Sequence, residues 1–464
     1  MPVNSFDDYP MSWKPQKREL EKPYYLSLAS CLEKDILSGT LPENTKLPPQ
    51  RELADYLDLN LSTITRAYKL CELKGLIHAV TGKGTFVSPG ILVQDTFLDR
   101  NSPVIEMGMI KPFYECNRSV QDAARLVLNR PDSLKLFEYG DPFGTGRQLR
   151  AAQKWLRLSG VKAGKENILI SAGAQNALSV ILISLFRAGD KIAVDEFTYT
   201  NFRGLANFLH IQLIAITADA YGMSPAALMQ ICRNADIRGL YLMPTCSNPT
   251  AVFMPPSRRQ ELAELARRFH LLVIEDDIYS FLAPRDAAPF FTLLPEQTLH
   301  ICSISKSLCA GLRVAFLAFP SRYRDALAAG MLQINLKTVS LNAEIIAELI
   351  ESGTASDMAR TKITLAKRRD QIFRSLFDVP VTDSVTRFFY RLPLPGRLTG
   401  AEAETAALQR GVHVLGSHRF AMNSEQNSSF VRVSVTSPDT EEELRKGLLI
   451  LKEVLKDRTV QFFV

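Results

Sequence analysis

Five short runs, NILIS (167–171), KIAVD (191–195), GLYLM (239–243), LLVIED (271–276) and HICSIS (300–305), constrain the fold of this chain more than any other feature. Each is almost continuously apolar rather than alternating, and amphipathic stretches such as SRRQELAELARRFH lie between some of them. A strand that is apolar on both sides must be covered on both sides, and helical crossovers supply the cover. The runs therefore predict an α/β body built on a parallel or mixed sheet. Beyond about residue 340 the pattern loosens into a smaller α+β portion that ends in FVRVSVT and a last helix.

Residues 24–90 follow a different rule. PYYLSLASCLEKDILSG has apolar residues at 28, 32 and 36 and stops at Gly39, which predicts a helix. LPPQRELADYLDL starts a second helix behind prolines, with Leu53, Ala54 and Leu57 inward. NLSTITRAYKLCELKGL makes a third, with Asn60 as its N-cap, Ile64, Ala67, Tyr68 and Cys71 on one face and Gly75 as its stop. IHAVTGKGTFV then reads as a hairpin turning at Thr81–Gly84. Helix, turn, helix and wing put one helix into the DNA major groove. The outward positions of the third helix are Ser62, Thr63, Thr65, Arg66 and Lys69, short donors and cations suited to base edges and phosphates. Arg51 and the wing-tip Lys83 are placed to meet phosphate. Bulk charge adds little, since residues 11–90 hold 11 Lys and Arg against 9 Asp and Glu.

At 464 residues the chain exceeds one ordinary core. It divides into an N-terminal extension (1–23), the helical unit (24–90), a joining stretch (91–104) and the α/β body (105–464). With 46% hydrophobic and 22% charged residues the composition is globular, and the net charge of +6 permits a nucleic-acid partner without demanding one. The longest apolar stretch, ALSVILISLF (177–186), is too short for a membrane span, and the first twenty residues have no apolar signal core. Seven cysteines form no CxxC pair, which implies reduced thiols in a cytoplasm rather than a disulfide or metal framework.

Polar residues collect where the predicted strands end. Gly173, Ala174 and Gln175 follow NILIS, Asn248 follows GLYLM, Asp276 closes LLVIED, and Lys306 follows HICSIS. In an α/β sheet such ends converge on one crevice, where ligands bind. A lysine desolvated there can form a Schiff base with an aldehyde. Asp276 can hold a pyridine nitrogen protonated, and Asn248 and Tyr279 can hydrogen-bond a phenolate oxygen. A helix start at 173–175 with Ser303, Ser305 and Arg313 suits a phosphate. Taken together these groups specify pyridoxal 5'-phosphate.

LPPQRELADYLDLNLSTITRAYKLCELKGLI and GKGTFV resemble the winged helix-turn-helix of the GntR superfamily, with Asp58 at the family's turn glycine and Leu61 at its usual arginine. SAGAQNAL, NPT, DDIY, SISKSLCAGLR and VRVSV resemble the fold-type I, pyridoxal-phosphate-dependent aminotransferases, which implies a large sheet domain and a small α+β C-terminal domain. This second resemblance implies that Lys306 is the aldimine lysine and that Tyr199 stacks on the ring. It also implies that Arg432 takes a substrate α-carboxylate and that Tyr139, from YGDPFGTGRQLRAA, reaches the phosphate of a neighbouring subunit. Ala251 replaces the glycine usual after NPT, and Cys309-Ala310-Gly311 replaces A-P-G. The fusion resembles the MocR family of bacterial transcriptional regulators. It implies a head-to-tail homodimer that binds operator DNA and senses an amino-acid-like effector, or the cofactor itself, without physiological turnover. The alternative is a working aminotransferase with an accessory N-terminal module.

Overall fold

The computed structural model describes residues 11–37, 41, 45–73, 76–80, 84–88, 104–284, 286–378, 385–396, 398–422 and 429–456. The chain forms two compact units, Met1–Phe97 and Leu98–Val464.

In the first unit, helices α1 (Tyr24–Leu37), α2 (Gln50–Leu57) and α3 (Leu61–Leu73) pack around the residues their periodicity selects. Leu28, Leu32, Ile36, Leu53, Leu57 and Ile64 are all buried. Asp58 ends α2 in the left-handed conformation, φ 47°, the geometry for which the family's glycine is suited. Asn60 caps α3, its Oδ1 accepting from the Ser62 amide and hydroxyl at 2.9 Å each. Strands β1 (Ile77–Val80) and β2 (Gly84–Val87) form the antiparallel wing. Gly39, Gly75 and the turn residues 81–83, Lys83 among them, lie outside the described residues.

Two features depart from the sequence reading. Lys46 bridges to Phe86, so the segment before α2 adds a third rung to the wing. Trp13 and Leu20, in the stretch read as an extension, are buried in the same core, and Trp13 donates its indole N–H to Asp35 at 2.7 Å. The folded unit thus begins before residue 24.

The second unit is built on a seven-stranded sheet. Its strands are β3 (Ile168–Ser171), β4 (Lys191–Asp195), β5 (Gln212–Ile216), β6 (Gly239–Leu242), β7 (Leu272–Asp276), β8 (Thr298–Ser303) and β9 (Ala315–Ala318). They lie in the order β3-β9-β8-β7-β6-β4-β5, and only β9 runs against its neighbours. The five predicted runs are five of these strands; β5 and β9 are additions. Every residue of β3, β6, β7, β8 and β9 is buried, as strands covered on both faces require. Helix α4 (Ala174–Leu185) follows β3, and α5 (Thr200–Phe208) follows β4.

A long helix, α6 (Thr354–Leu376), leads to the smaller lobe. There β10 (Phe389–Pro393), β12 (Phe430–Ser434) and β11 (Leu415–Gly416) form an antiparallel sheet in that order, followed by α7 (Glu441–Lys456). Strand alternation sends Tyr390, Leu392, Val431 and Val433 into a core with α7, and leaves Phe389, Phe430 and Arg432 on the opposite face. Among the described residues no helix is long and apolar enough to cross a membrane.

Candidate functional site

Because β3, β4, β6, β7 and β8 run the same way, their carboxyl ends open on one side of the sheet, and the predicted polar residues meet there. Asp276 ends β7 between β6 and β8, only 2% exposed. Its Oδ2 accepts from the Tyr241 hydroxyl at 2.9 Å, while its Oδ1 is buried with no hydrogen-bond partner. Burial pushes this carboxyl up to about 7, with the Asp277 charge adding to the effect and the Tyr241 hydrogen bond opposing it. An acceptor held in this state suits a cationic N–H donor. The Tyr279 hydroxyl is likewise buried without a partner, and burial raises its pKa.

Lys306 follows β8 and is half-buried. Its Nζ donates to the carbonyl of Ile110. Burial, then the charges of Arg432, Arg313 and Lys362, lowers its pKa to about 7. An amine with that proton affinity is substantially unprotonated, and so nucleophilic, near neutrality.

Between β3 and α4 the bare backbone of Gly173 lets the Arg313 guanidinium approach closely. Gly173 has φ +91°, and a Cβ there would sit 2.4 Å from Arg313 Nη2, so only glycine permits this approach. Arg313 also donates to the Ser305 hydroxyl at 3.2 Å, and the Ser305 amide donates to Ser303 Oγ at 3.2 Å. Ala174 begins α4; Gln175 donates to the Asn201 carbonyl at 3.4 Å and keeps its own Oε1 buried without a partner. Tyr199 caps α5 at the end of β4, its pKa pushed up to about 12 mainly by burial.

Arg432 reaches the crevice from β12. It donates to Asn248 Oδ1 and to the Gly108 carbonyl at 2.5 Å each, its Nε has no partner, and its guanidinium lies 4.9 Å from the Phe420 ring centre. Burial lowers its pKa to about 10. Tyr139 stands apart from these groups, 91% exposed.

Sequence reasoning missed Tyr241, hidden within an apolar strand, and the segment Gly108–Ile110, whose carbonyls meet Arg432 and Lys306. Glu106 shapes that segment, its Oε1 accepting from the Gly108 and Met109 amides at 2.7 and 2.8 Å and pairing with His413 at 2.9 Å. No motif marked it, since carbonyl acceptors leave no residue signature.

On the first unit, Arg51, Ser62, Thr65, Arg66 and Lys69 are exposed and Thr63 is half-buried. Some are already engaged: Thr65 donates to Gln50 Oε1 at 2.8 Å, and the Arg66 guanidinium sits 3.9 Å over the Tyr25 ring.

Comparison with known proteins agrees with this architecture. Residues 112–448 match the family Aminotransferase class I and II, and residues 24–87 match Bacterial regulatory proteins, gntR family. The chain is 40% identical over 462 residues to the HTH-type transcriptional regulator YdeF of Bacillus subtilis, covering 99% of this chain and 100% of that protein. It is 26% identical to the vitamin B6 salvage pathway transcriptional repressor PtsJ of Salmonella typhimurium, covering 74% of this chain and 79% of PtsJ. Among solved structures, LysN, the α-aminoadipate aminotransferase of Thermus thermophilus in complex with N-(5'-phosphopyridoxyl)-L-leucine, is similar in fold. Its TM-score is 0.71 at 22% identity, covering 83% of this chain and 96% of LysN. An archaeal alanine:glyoxylate aminotransferase also gives 0.71, at 20% identity over 80% and 94% of the two chains. The residues in the crevice fit pyridoxal 5'-phosphate: an orphaned carboxylate oxygen, a phenol, a low-pKa lysine and a glycine–arginine anion cradle.

Proposed function

The chain belongs to the family of regulators in which a gntR-type winged helix-turn-helix is fused to an aminotransferase class I and II domain, and from that premise we infer a DNA-binding regulator that responds to an amino-acid-like effector. The observation that carries the reading is the combination in one chain of a DNA-reading fold and an intact pyridoxal-phosphate crevice.

Each part has an assigned task. Helix α3 enters the major groove, with Ser62, Thr63, Thr65, Arg66 and Lys69 at the DNA and Arg51 and Lys83 at phosphates. When bound, the cofactor supplies an aldehyde with which a primary amine condenses. Asp276 and Tyr279 orient its ring, Tyr199 covers a face, and Gly173, Ser303, Ser305 and Arg313 hold its phosphate. Lys306 keeps the resting state and yields to an incoming amine. Arg432 exchanges its Asn248 or Gly108 contact for the ligand's carboxylate, which recruits the small lobe. A ligand with an amine and a carboxylate thus engages both lobes at once, and its preference for the closed arrangement shifts the population. The same geometry accommodates the cofactor itself as the signal.

The regulator acts in the cytoplasm as a head-to-tail homodimer. Support comes from the exposure of Leu134, Phe137 and Tyr139, an apolar group that a second subunit would cover. Catalytic turnover is the second reading, favoured by the presence of Lys306, Asp276 and Arg432 together.

Borohydride reduction followed by peptide mapping tests the cofactor lysine; label elsewhere than Lys306 removes it. Footprinting upstream of the protein's own gene tests regulation. No protected site, combined with fast amino-group transfer, selects the enzyme instead.

A further inference from the structure

Helix α6 passes both ends of the crevice, and its buried stripe, otherwise Ala, Met and Phe, contains two cations. Lys362 is 0% exposed and donates from Nζ to the Leu308 carbonyl at 2.5 Å, two residues beyond Lys306. Two turns further along the same face, Arg369 donates to the carbonyls of Val435 and Pro438 at 3.2 and 2.6 Å. Those carbonyls lie just past the strand that carries Arg432. One rigid helix is therefore tied to the loop of the cofactor lysine and to the end of the arginine strand.

Burying a lysine costs more than burying an apolar residue of similar volume, so packing alone is a weak reason for Lys362. The loop it holds has other anchors, including Asn342 to the Leu312 carbonyl at 2.9 Å and Arg313 to the Ala310 carbonyl at 3.4 Å. Asn342 is neutral and Arg313 is assigned to the phosphate in the proposed site, so Lys362 is the anchor whose charge near Lys306 no ligand group claims. The charged and titratable groups that act on Lys362 include Cys116, Cys309 and Glu115, and those that act on Lys306 include Arg432, Arg313 and Lys362 itself.

We propose that Lys362 is a positioning residue for Lys306: its bond to the Leu308 carbonyl fixes the turn from which the cofactor lysine projects and sets a buried cation close to that lysine. A cation there disfavours the protonated form of Lys306. Arg432 and Arg313 exert the same pull, but each is committed to a ligand group in the proposed site and is neutralised when that group binds. Lys362 donates to a backbone carbonyl and has no ligand group assigned to it. Burial lowers its own pKa to about 8, so it remains largely charged at neutral pH. The inference rests on the reading of Lys306 as the residue that carries the cofactor.

The test is a spectrophotometric pH titration of the full-length protein loaded with pyridoxal phosphate. The nitrogen that joins Lys306 to the cofactor absorbs at different wavelengths with and without its proton. Lys362→Met removes the charge at nearly constant volume and should raise the midpoint by about one pH unit. Lys362→Arg keeps the charge and should leave the midpoint near that of the wild type. Lys362→Gln, neutral but able to donate to Leu308, decides by the same criterion if the methionine variant does not fold. An unmoved midpoint in the neutral variants overturns the inference, and so does an equal shift in Lys362→Arg, which would mark a packing effect. A wild-type protein without the visible band would overturn the cofactor reading and this inference with it. A wild-type band whose midpoint ignores the substitution overturns this inference alone.

Discussion

Replacing Asp276 with Asn should have two effects of opposite sign. Cofactor affinity should fall, because Asp276 Oδ1 is the buried acceptor without a partner and a neutral amide cannot match its pairing with a protonated pyridine. A charge-assisted hydrogen bond is worth about 1.5–3 kcal/mol, which corresponds to a loss of roughly 10- to 150-fold in affinity. The Tyr241 contact need not be lost, since the phenol that now donates to Oδ2 at 2.9 Å can donate to an amide oxygen. The stability of the cofactor-free protein should move the other way. In the folded chain burial pushes the Asp276 carboxyl up to about 7 from its ordinary value of 3.8. Its proton affinity is raised by folding, so ionisation of the group opposes folding increasingly as pH rises from about 4 to about 7. Asparagine carries no such penalty. The cofactor-free variant should therefore be at least as stable as the wild type at pH 8, with its relative advantage smallest near pH 4. Absorbance titration with pyridoxal phosphate measures the first effect, and urea unfolding at several pH values measures the second. Cofactor affinity within twofold of the wild type would refute the assignment of Asp276 to the ring nitrogen.

Three further outcomes are expected. Cofactor capture by the cofactor-free protein should reach half its maximal rate near pH 7, because Lys306 reacts unprotonated and burial lowers its pKa to about 7; a midpoint above pH 9, followed by the appearance of the visible band, would contradict the described environment. Trp13→Ala should destabilise the first unit by about 3–5 kcal/mol in urea unfolding, since the indole is buried there, whereas an independent extension would leave the transition unchanged. Asn60→Ala should cost about 1 kcal/mol in the same transition through loss of the α3 cap, and Asn60→Asp should retain most of it.

Much of the molecule was legible because its cues are local. Continuous apolar runs identified five strands, the 3.6-residue period selected the buried faces of α1, α2 and α3, and an Asn before Ser62 was enough to predict a cap. The groups at the strand ends could be listed for the same reason: Asp276, Asn248 and Lys306 each lie within a few residues of an apolar run. The role of Arg432 came with the resemblance to the aminotransferases, and the folded chain sets it on the face of β12 opposite the Val431 and Val433 core.

What the tertiary structure decided concerns contacts between residues distant in sequence. Periodicity shows that a residue is buried and says nothing of its neighbour. Tyr241 sits in GLYLM as one more apolar position, yet strand order brings its hydroxyl to Asp276. The reversed β9 gave no sign of its direction, because a strand buried on both faces looks the same whichever way it runs. Ile110 and Lys306 are 196 positions apart, and a carbonyl acceptor has no sequence signature. Trp13 lay in a charged, proline-containing stretch that composition assigned to an extension. Lys362 had no mark in the sequence, and only the packing of α6 shows it buried. The sequence by itself determined which chemical groups this chain possesses and on which elements they lie, since both follow from short-range pattern; only the folded chain decided which groups share a crevice, because that depends on strand order and on burial shared between segments hundreds of residues apart.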